Sequence, residues 1–377
     1  MAIDNPPTKE NRLLPLDLLR GLLIILMALD HANYHIAQQH SPGEYWGGYY
    51  PLYPNPLHFL TRFVTHFSAP GFFFLLGVGM VLFSSSRRKK GWREIEIGGH
   101  FLLRGLVLIA LQGFLNYSQA WSAGGSSAPV LYVGVLAALG FGMILCIPLL
   151  RFKTGWLAGI GLGLFVIMEI LTPAPELWGR NFDNLAGTLL VYSGGKGEFW
   201  TNYPLLAWVE LIVLGLIFGK WIQVDSKKAY QKGAWLGLAF LVTFVLLRLI
   251  NGFGTIRPLA FQSWMEFFNL VKYPPSMAFV MLTSGVNLIL LAVFSLIKLP
   301  GSRDWNPVLV FGRAALFSYL AHIGIYVLMG RLLAPQGSSF GVMYALWLAG
   351  LAILYFPALW YGKYKSGQPL RSWVRLF

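Results

Sequence analysis

The sequence predicts an all-α fold, a polytopic bundle of transmembrane helices with about 10 spans, and three observations support it. Of the 377 residues, 56% are hydrophobic. Only 12% are charged, against about 25% in an ordinary soluble domain. Apolar runs of about twenty residues recur along the whole chain, and a run of that length can cross a bilayer as a helix. A soluble enzyme and a disordered chain are therefore excluded.

Each predicted span is one of these apolar runs. Polar stretches between the runs are too short for a soluble domain. The chain 1–377 is therefore interpreted as one integral-membrane domain, with short ends at about 1–12 and 363–377. The spans lie near residues 14–31, 58–83, 101–117, 128–150, 155–171, 204–223, 234–250, 277–297, 308–330 and 340–362.

The net charge of +14 indicates orientation in the membrane. Most of the 29 basic residues fall in alternate loops, on the side of the N-terminus. Because cytoplasmic loops carry an excess of Lys and Arg, this pattern places both termini in the cytoplasm. The chain is expected in the inner cell membrane, with the lipid bilayer as its partner and no nucleic acid.

Polar residues cluster where the first span ends and the second begins. Five of the seven histidines lie between positions 31 and 66. An ionisable group inside a bilayer costs about 2.5–3.5 kcal/mol or more, so such groups are rarely without a function. Histidine can accept and return a proton near neutral pH, which predicts a catalytic centre here. The predicted catalytic residues are Asp30, His31, His58, Arg62 and His66.

Basic side chains at the inner ends of the first two spans predict a site for a phosphate-bearing donor. One lies in the first span, three residues after Asp17, and the others form a run that follows the second span. Anionic lipid is an alternative partner for that run. The predicted donor-binding residues are Arg20, Arg87, Arg88, Lys89 and Lys90.

The acceptor is predicted to bind on the opposite side, near His35, Lys272 and Tyr273. Lys272 runs against the charge bias of that side, which favours a functional cation. A metal site on His31, His35, His58 and His66 is the other functional option for these histidines. No metal is expected, because Asp30 is the only near carboxylate and Cys146 is the only cysteine.

Five motifs carry a resemblance to a known family, in this order: LDLLRGLLIILMALDH, FLTRFVTHFSAPGFFFLLGVG, NYPLLAWVELIVLGLIFG, FNLVKYPPSM and VLVFGRAALFSYLAHIGIY. Over about residues 12–330 the chain resembles bacterial members of the heparan-alpha-glucosaminide N-acetyltransferase-like family of membrane acyltransferases. The resemblance implies transfer of an acetyl group from cytoplasmic acetyl-CoA to a sugar amine or hydroxyl on the other side. The family's polar positions would be Asp17, Arg20, Asp30, His31, Arg62, His66, Lys272 and His322.

The residues and the resemblance leave several alternatives open. His31 or His66 is the general base or a transient acetyl carrier, and His58 is a third counterpart for the family's active-site histidine. A transporter or flippase for a glycan or lipid precursor is the main rival to an acyltransferase, and a non-catalytic scaffold is another. The expected partners are acetyl-CoA and a glycan or amino-sugar acceptor, and a homodimer is an open option.

Overall fold

The computed structural model describes residues 9–39, 44–47, 53–122, 131–260, 263–298, 305–369 and 372–376. These residues form a helical bundle with one two-stranded parallel sheet, β1 (Leu131–Val133) and β2 (Phe199–Thr201). The helices are α1 (Lys9–Ala32), α2 (Pro56–Thr65), α3 (Ser68–Arg88), α4 (Glu94–Ser122), α5 (Val135–Leu145), α6 (Thr154–Leu171), α7 (Leu185–Leu190), α8 (Val209–Val224), α9 (Ser226–Ile250), α10 (Trp264–Phe267), α11 (Met277–Leu296), α12 (Pro307–Arg313), α13 (Ala315–Leu333) and α14 (Phe340–Gly367).

Seven helical stretches of the described chain are long and apolar enough to cross a membrane. The prediction of a helical, multi-pass membrane protein is therefore confirmed. These stretches are Pro56–Arg88, Glu94–Tyr117, Thr154–Leu171, Ser226–Ile250, Met277–Leu296, Ala315–Leu333 and Phe340–Gly367.

The remaining three predicted spans are helical but differ from these seven. Helix α1 carries Asp17, Arg20 and Asp30 within its length. Helices α5 and α8 have 11 and 16 residues, fewer than the about 20 that a bilayer requires. A total of about ten spans and cytoplasmic termini stay predictions. Residues 1–8, 370, 371 and 377 of the predicted cytoplasmic ends, and 128–130 of the fourth predicted span, lie outside the described residues.

The predicted second span is interrupted near its start. Helix α2 begins after Asn55, whose side chain accepts a hydrogen bond from the backbone N–H of His58, and Pro56 occupies its first turn. It ends at Thr65, and His66 donates its backbone N–H to the carbonyl of Phe63. Pro70 has no N–H to donate to the His66 carbonyl, which favours a break at this point. His58 and Arg62 therefore lie on the short helix α2, and His66 lies at its C-terminal cap.

Close helix contacts hold the centre of the bundle together. A Cβ added at Gly77 of α3 would come within 2.1 Å of the Ile212 carbonyl oxygen, and one at Gly215 of α8 within 2.0 Å of the Phe74 carbonyl oxygen. Only glycine permits this approach, as is common where helices associate in membranes. The tight α3–α8 contact leaves the opposite face of α3 to line a cavity next to α1.

Candidate active site

The first polar cluster joins the end of α1 to α2 and to the segment between them. The Arg62 guanidinium donates to both Glu44 oxygens and to Asp30. His66 places its Nε2 2.7 Å from Glu44 Oε1. Arg62 and Glu44 are each only 1% exposed. Because a buried charge is stable only when it is paired, these four residues form one unit, which we call the Arg62 cluster.

Electrostatics keep the Glu44 carboxylate ionised. Burial alone would raise its pKa, but the Arg62 guanidinium and His66 together hold the pKa of Glu44 well below its usual range, and Lys272 adds to the effect. A carboxylate that is charged at neutral pH can bind the Arg62 guanidinium through both oxygens, which is a strong and directional arrangement.

The same segment is attached to the residues that precede α11. The Glu44 carbonyl accepts hydrogen bonds from the backbone N–H groups of Lys272 and Tyr273, at 2.9 and 3.1 Å. The Trp46 indole donates to the Ser193 carbonyl at 2.7 Å. Lys272 is only 3% exposed, and its ammonium lies 5.1 Å from the centre of the Tyr273 ring. Two of the three predicted acceptor residues, Lys272 and Tyr273, thus lie in the interior beside the Arg62 cluster.

A second cluster contains two histidines from distant parts of the chain. Nδ1 of His31 lies 2.6 Å from Nε2 of His322, and Nδ1 of His322 lies 2.7 Å from the Ser318 carbonyl oxygen. The Tyr319 ring lies edge-on to both histidines, with centroids 6.1 and 5.6 Å away. His35 lies 6.4 Å from His31, ring to ring. We call His31, His322 and Tyr319 the His31 cluster.

A cavity of about 350 Å³ is lined by basic side chains and by Tyr319 of the His31 cluster. Arg20, Ile24 and Met27 line it from one face of α1, and His31 is the next residue on that face. Tyr319 also lines it and connects it to His31, whose own ring is not part of the lining. Apolar side chains of α3, α4, α5 and α13 form most of the walls, and no Asp or Glu of the described chain lines the cavity. The basic residues that line it are Arg20, Arg104, Arg313 and Lys365.

Of the predicted donor-binding residues, Arg20 alone lines this cavity, where it also contacts Asp17 at 2.8 Å. Arg87 is buried over the rings of Phe83 and Trp92, at 4.5 and 5.3 Å from their centres. Its neighbour Arg88 binds Glu94 at 2.5 Å. The last two predicted donor-binding residues, Lys89 and Lys90, are exposed just after the end of α3.

The other predicted catalytic histidine, His58, lies apart from both clusters. Its ring contacts Asn55 and Gln39, at 2.8 and 3.0 Å, and the Phe340 ring. Among the described residues, no group of three or more His, Cys, Asp or Glu side chains could hold a metal ion.

Sequence reasoning did not single out five residues that the structure brings to the site. Three basic residues were interpreted only as signs of membrane orientation: Arg104, Arg313 and Lys365. Arg104 lies inside the third apolar run, where a cation also indicates a functional site. Glu44 and Tyr319 carried no such sign, because their positions depend on contacts with distant segments.

The first prediction concerns Glu44, whose removal leaves Arg62 with less buried counter-charge. Glu44→Gln is expected to lower the free energy of unfolding by about 3–5 kcal/mol. Intrinsic tryptophan fluorescence during heating in detergent would measure this as a lower Tm at pH 7. Because the folded-state pKa of Glu44 is depressed, its contribution is present above the ordinary pKa and is lost as pH falls through the folded value. The difference in Tm between Glu44→Gln and the native protein should therefore become smaller as the pH falls.

Glu94→Gln is the matched control for that variant. Its pair with Arg88 is nearly half exposed, at 44% and 42% of the two side chains, and such pairs contribute about 0–1 kcal/mol. Equal losses of stability in the two variants would contradict the structural role of the Arg62 cluster.

The apolar helices define a multi-pass membrane protein, and its polar clusters and cavity lie within the bundle. The family model for the catalytic domain of heparan-alpha-glucosaminide N-acetyltransferase matches residues 12–247, more than half of the chain. The chain therefore belongs to this family of membrane acetyltransferases, and the resemblance carried by the motifs is confirmed. A search of curated proteins finds no match. The matched region includes His31 and the whole Arg62 cluster, whereas His322 and Tyr319 lie beyond it.

Proposed function

We propose that the protein transfers an acetyl group from cytoplasmic acetyl-CoA to a sugar amine or hydroxyl on the outer side of the inner cell membrane. The observation that carries this proposal is the cavity, which is lined by four cations and by Tyr319, whose ring lies beside His31. Family membership supports the acetyl group and the CoA donor.

The charges of the lining favour an anionic ligand. In the part of the chain that the structure describes, four basic side chains and no carboxylate line the cavity, so its potential attracts phosphates. Among the described residues, the buried Nε of Arg104 has no hydrogen-bond partner. A bound anion would explain this unsatisfied donor. The phosphates of CoA would therefore occupy the Arg104 end.

The spacing of Arg20 and His31 along α1 suits a donor that is charged at one end and reactive at the other. The two residues are 11 positions apart on α1, which is about 16 Å along a helix that rises 1.5 Å per residue. The apolar middle would enclose the narrow pantetheine arm and exclude water from the thioester. The thioester would then lie close to His31.

We assign the role of general base to His31 and a supporting role to His66. His31 is partly exposed and continues the cavity-lining face of α1. His66 is 4% exposed, and its Nε2 contacts Glu44. His35 lies beside His31 and would face the approaching acceptor, while Asp30 connects α1 to the Arg62 cluster.

The decisive experiment is His31→Gln in vesicles, with radiolabelled acetyl-CoA and a panel of amino sugars and glycans. Loss of a positioned base is expected to lower kcat by about a hundredfold to ten-thousandfold, with acetyl-CoA binding unchanged. His58→Gln is the control, because His58 touches neither cluster. Normal turnover by His31→Gln would contradict the assignment. Accumulation of an acceptor inside native vesicles without CoA release would instead indicate a transporter.

A second prediction tests the cavity as the donor site by filling it. A Cβ at Gly79 would meet nothing within 4 Å, and Gly79 lines the cavity. Gly79→Leu should therefore occupy space needed by the donor without distorting α3, and weaken acetyl-CoA binding at least about tenfold, about 1.4 kcal/mol. Equilibrium binding of radiolabelled acetyl-CoA would measure it. Gly113 on α4 is exposed and equally unobstructed, so Gly113→Leu should bind acetyl-CoA with native affinity. Equal affinities of the Gly79→Leu and Gly113→Leu variants for acetyl-CoA would exclude this cavity as the donor site.

A third prediction concerns the cationic end. Arg104→Gln removes a charge-assisted contact of about 1.5–3 kcal/mol, so KM for acetyl-CoA should rise about ten- to a hundredfold while kcat changes little. Steady-state kinetics would show this. Lys89→Gln, at an exposed lysine outside the cavity, should leave KM unchanged. A raised KM for Lys89→Gln and an unchanged KM for Arg104→Gln would indicate that the donor binds at the basic run at the end of α3 instead.

A further inference from the structure

We infer that His322 is a positioning residue that determines which ring nitrogen of His31 accepts the proton. The inference rests on the proposed function, because it specifies the action of His31 in that reaction. His322 lies on α13, outside the region that the family model matches, and Ser318 lies one helical turn before it on the same face.

The hydrogen-bond chain begins at a backbone carbonyl, whose direction is unambiguous. The Ser318 oxygen can only accept, so Nδ1 of His322, 2.7 Å away, carries a hydrogen. His322 is 1% exposed, and a charged ring there would be costly. A neutral imidazole has one N–H, so Nε2 of His322 holds a lone pair.

The next bond transmits this arrangement to His31. Nε2 of His322 is the acceptor, so Nδ1 of His31 must donate across the 2.6 Å between them. The ring planes are inclined by only 18° and the centroids are 4.9 Å apart. The two nitrogens therefore face each other nearly in the ring planes, as a good hydrogen bond requires. In neutral His31 the lone pair then lies on Nε2.

This tautomer fits the chemistry of acetyl transfer. The acceptor nitrogen or oxygen bonds to the thioester carbonyl carbon, and the C–S bond breaks with its electron pair on sulfur. The acceptor's proton moves to Nε2 of His31 and then to the sulfur, which leaves as the thiol of CoA. During the step His31 is an imidazolium, and the His322 lone pair holds its Nδ1–H in place without taking that proton.

Two substitutions of similar size separate this role from simple packing. His322→Leu removes the acceptor, and His322→Gln keeps an oxygen able to accept from Nδ1 of His31. We expect His322→Leu to lower kcat about a hundredfold, with KM for acetyl-CoA within about twofold of native, and His322→Gln to recover most of the loss. A packing role predicts equal losses, and that result would overturn the inference.

A second measurement reads the tautomer of His31 without reference to activity. Nitrogen-15 NMR of histidine-labelled protein in bilayers, assigned with His31→Gln, should show the hydrogen on Nδ1. A hydrogen on Nε2 in the native protein would overturn the inference even if His322→Leu did not fold. If the hydrogen is on Nδ1 but His31→Gln turns over normally, the assignment of His31 as general base fails and the positioning role with it, while acetyl transfer and the hydrogen-bond chain itself stand. Absence of acetyl transfer by the native protein would instead contradict the proposed function.

Discussion

The buried guanidinium of Arg62 is the constraint on which the rest of the site depends. It lies in the interior of a membrane protein, where a cation requires partners of opposite charge. Asp30 supplies one from the end of α1, and Glu44 supplies the other from the following segment. The Glu44 backbone also binds the residues before α11. One side chain thus connects three separate parts of the chain and holds the end of α1 that carries His31.

Two polar clusters with different properties lie at this end of α1. The Arg62 cluster is closed, because its charged groups bind one another and little of their surface is exposed. The His31 cluster is only partly enclosed and adjoins a cavity with apolar walls. Electrostatic interactions are stronger where water is excluded, so the fixed charges nearby act on the His31 cluster more strongly than they would in solution. We therefore assign the supporting role to the closed Arg62 cluster and the proposed chemistry to His31, which is partly exposed.

Particular residues show how far sequence reasoning reached. The clustering of Asp30, His31, Arg62 and His66 was visible because polar groups stand out against apolar helices, and the structure brings Asp30, Arg62 and His66 into one cluster and His31 next to it. The basic run at the end of α3 was a weaker sign. Charge there follows membrane orientation, and Arg87 is enclosed by aromatic rings that no local pattern indicates.

The sequence by itself determined the helical membrane fold, the family, and the presence of ionisable groups at the junction of the first two spans. Hydropathy and helical periodicity are local properties, and they are sufficient for these conclusions. Only the tertiary structure decided that Glu44 binds Arg62, that His322 meets His31 across 291 positions of the chain, and that Arg104, Arg313 and Lys365 surround one cavity. Such contacts depend on how helices pack in three dimensions, which no single segment encodes.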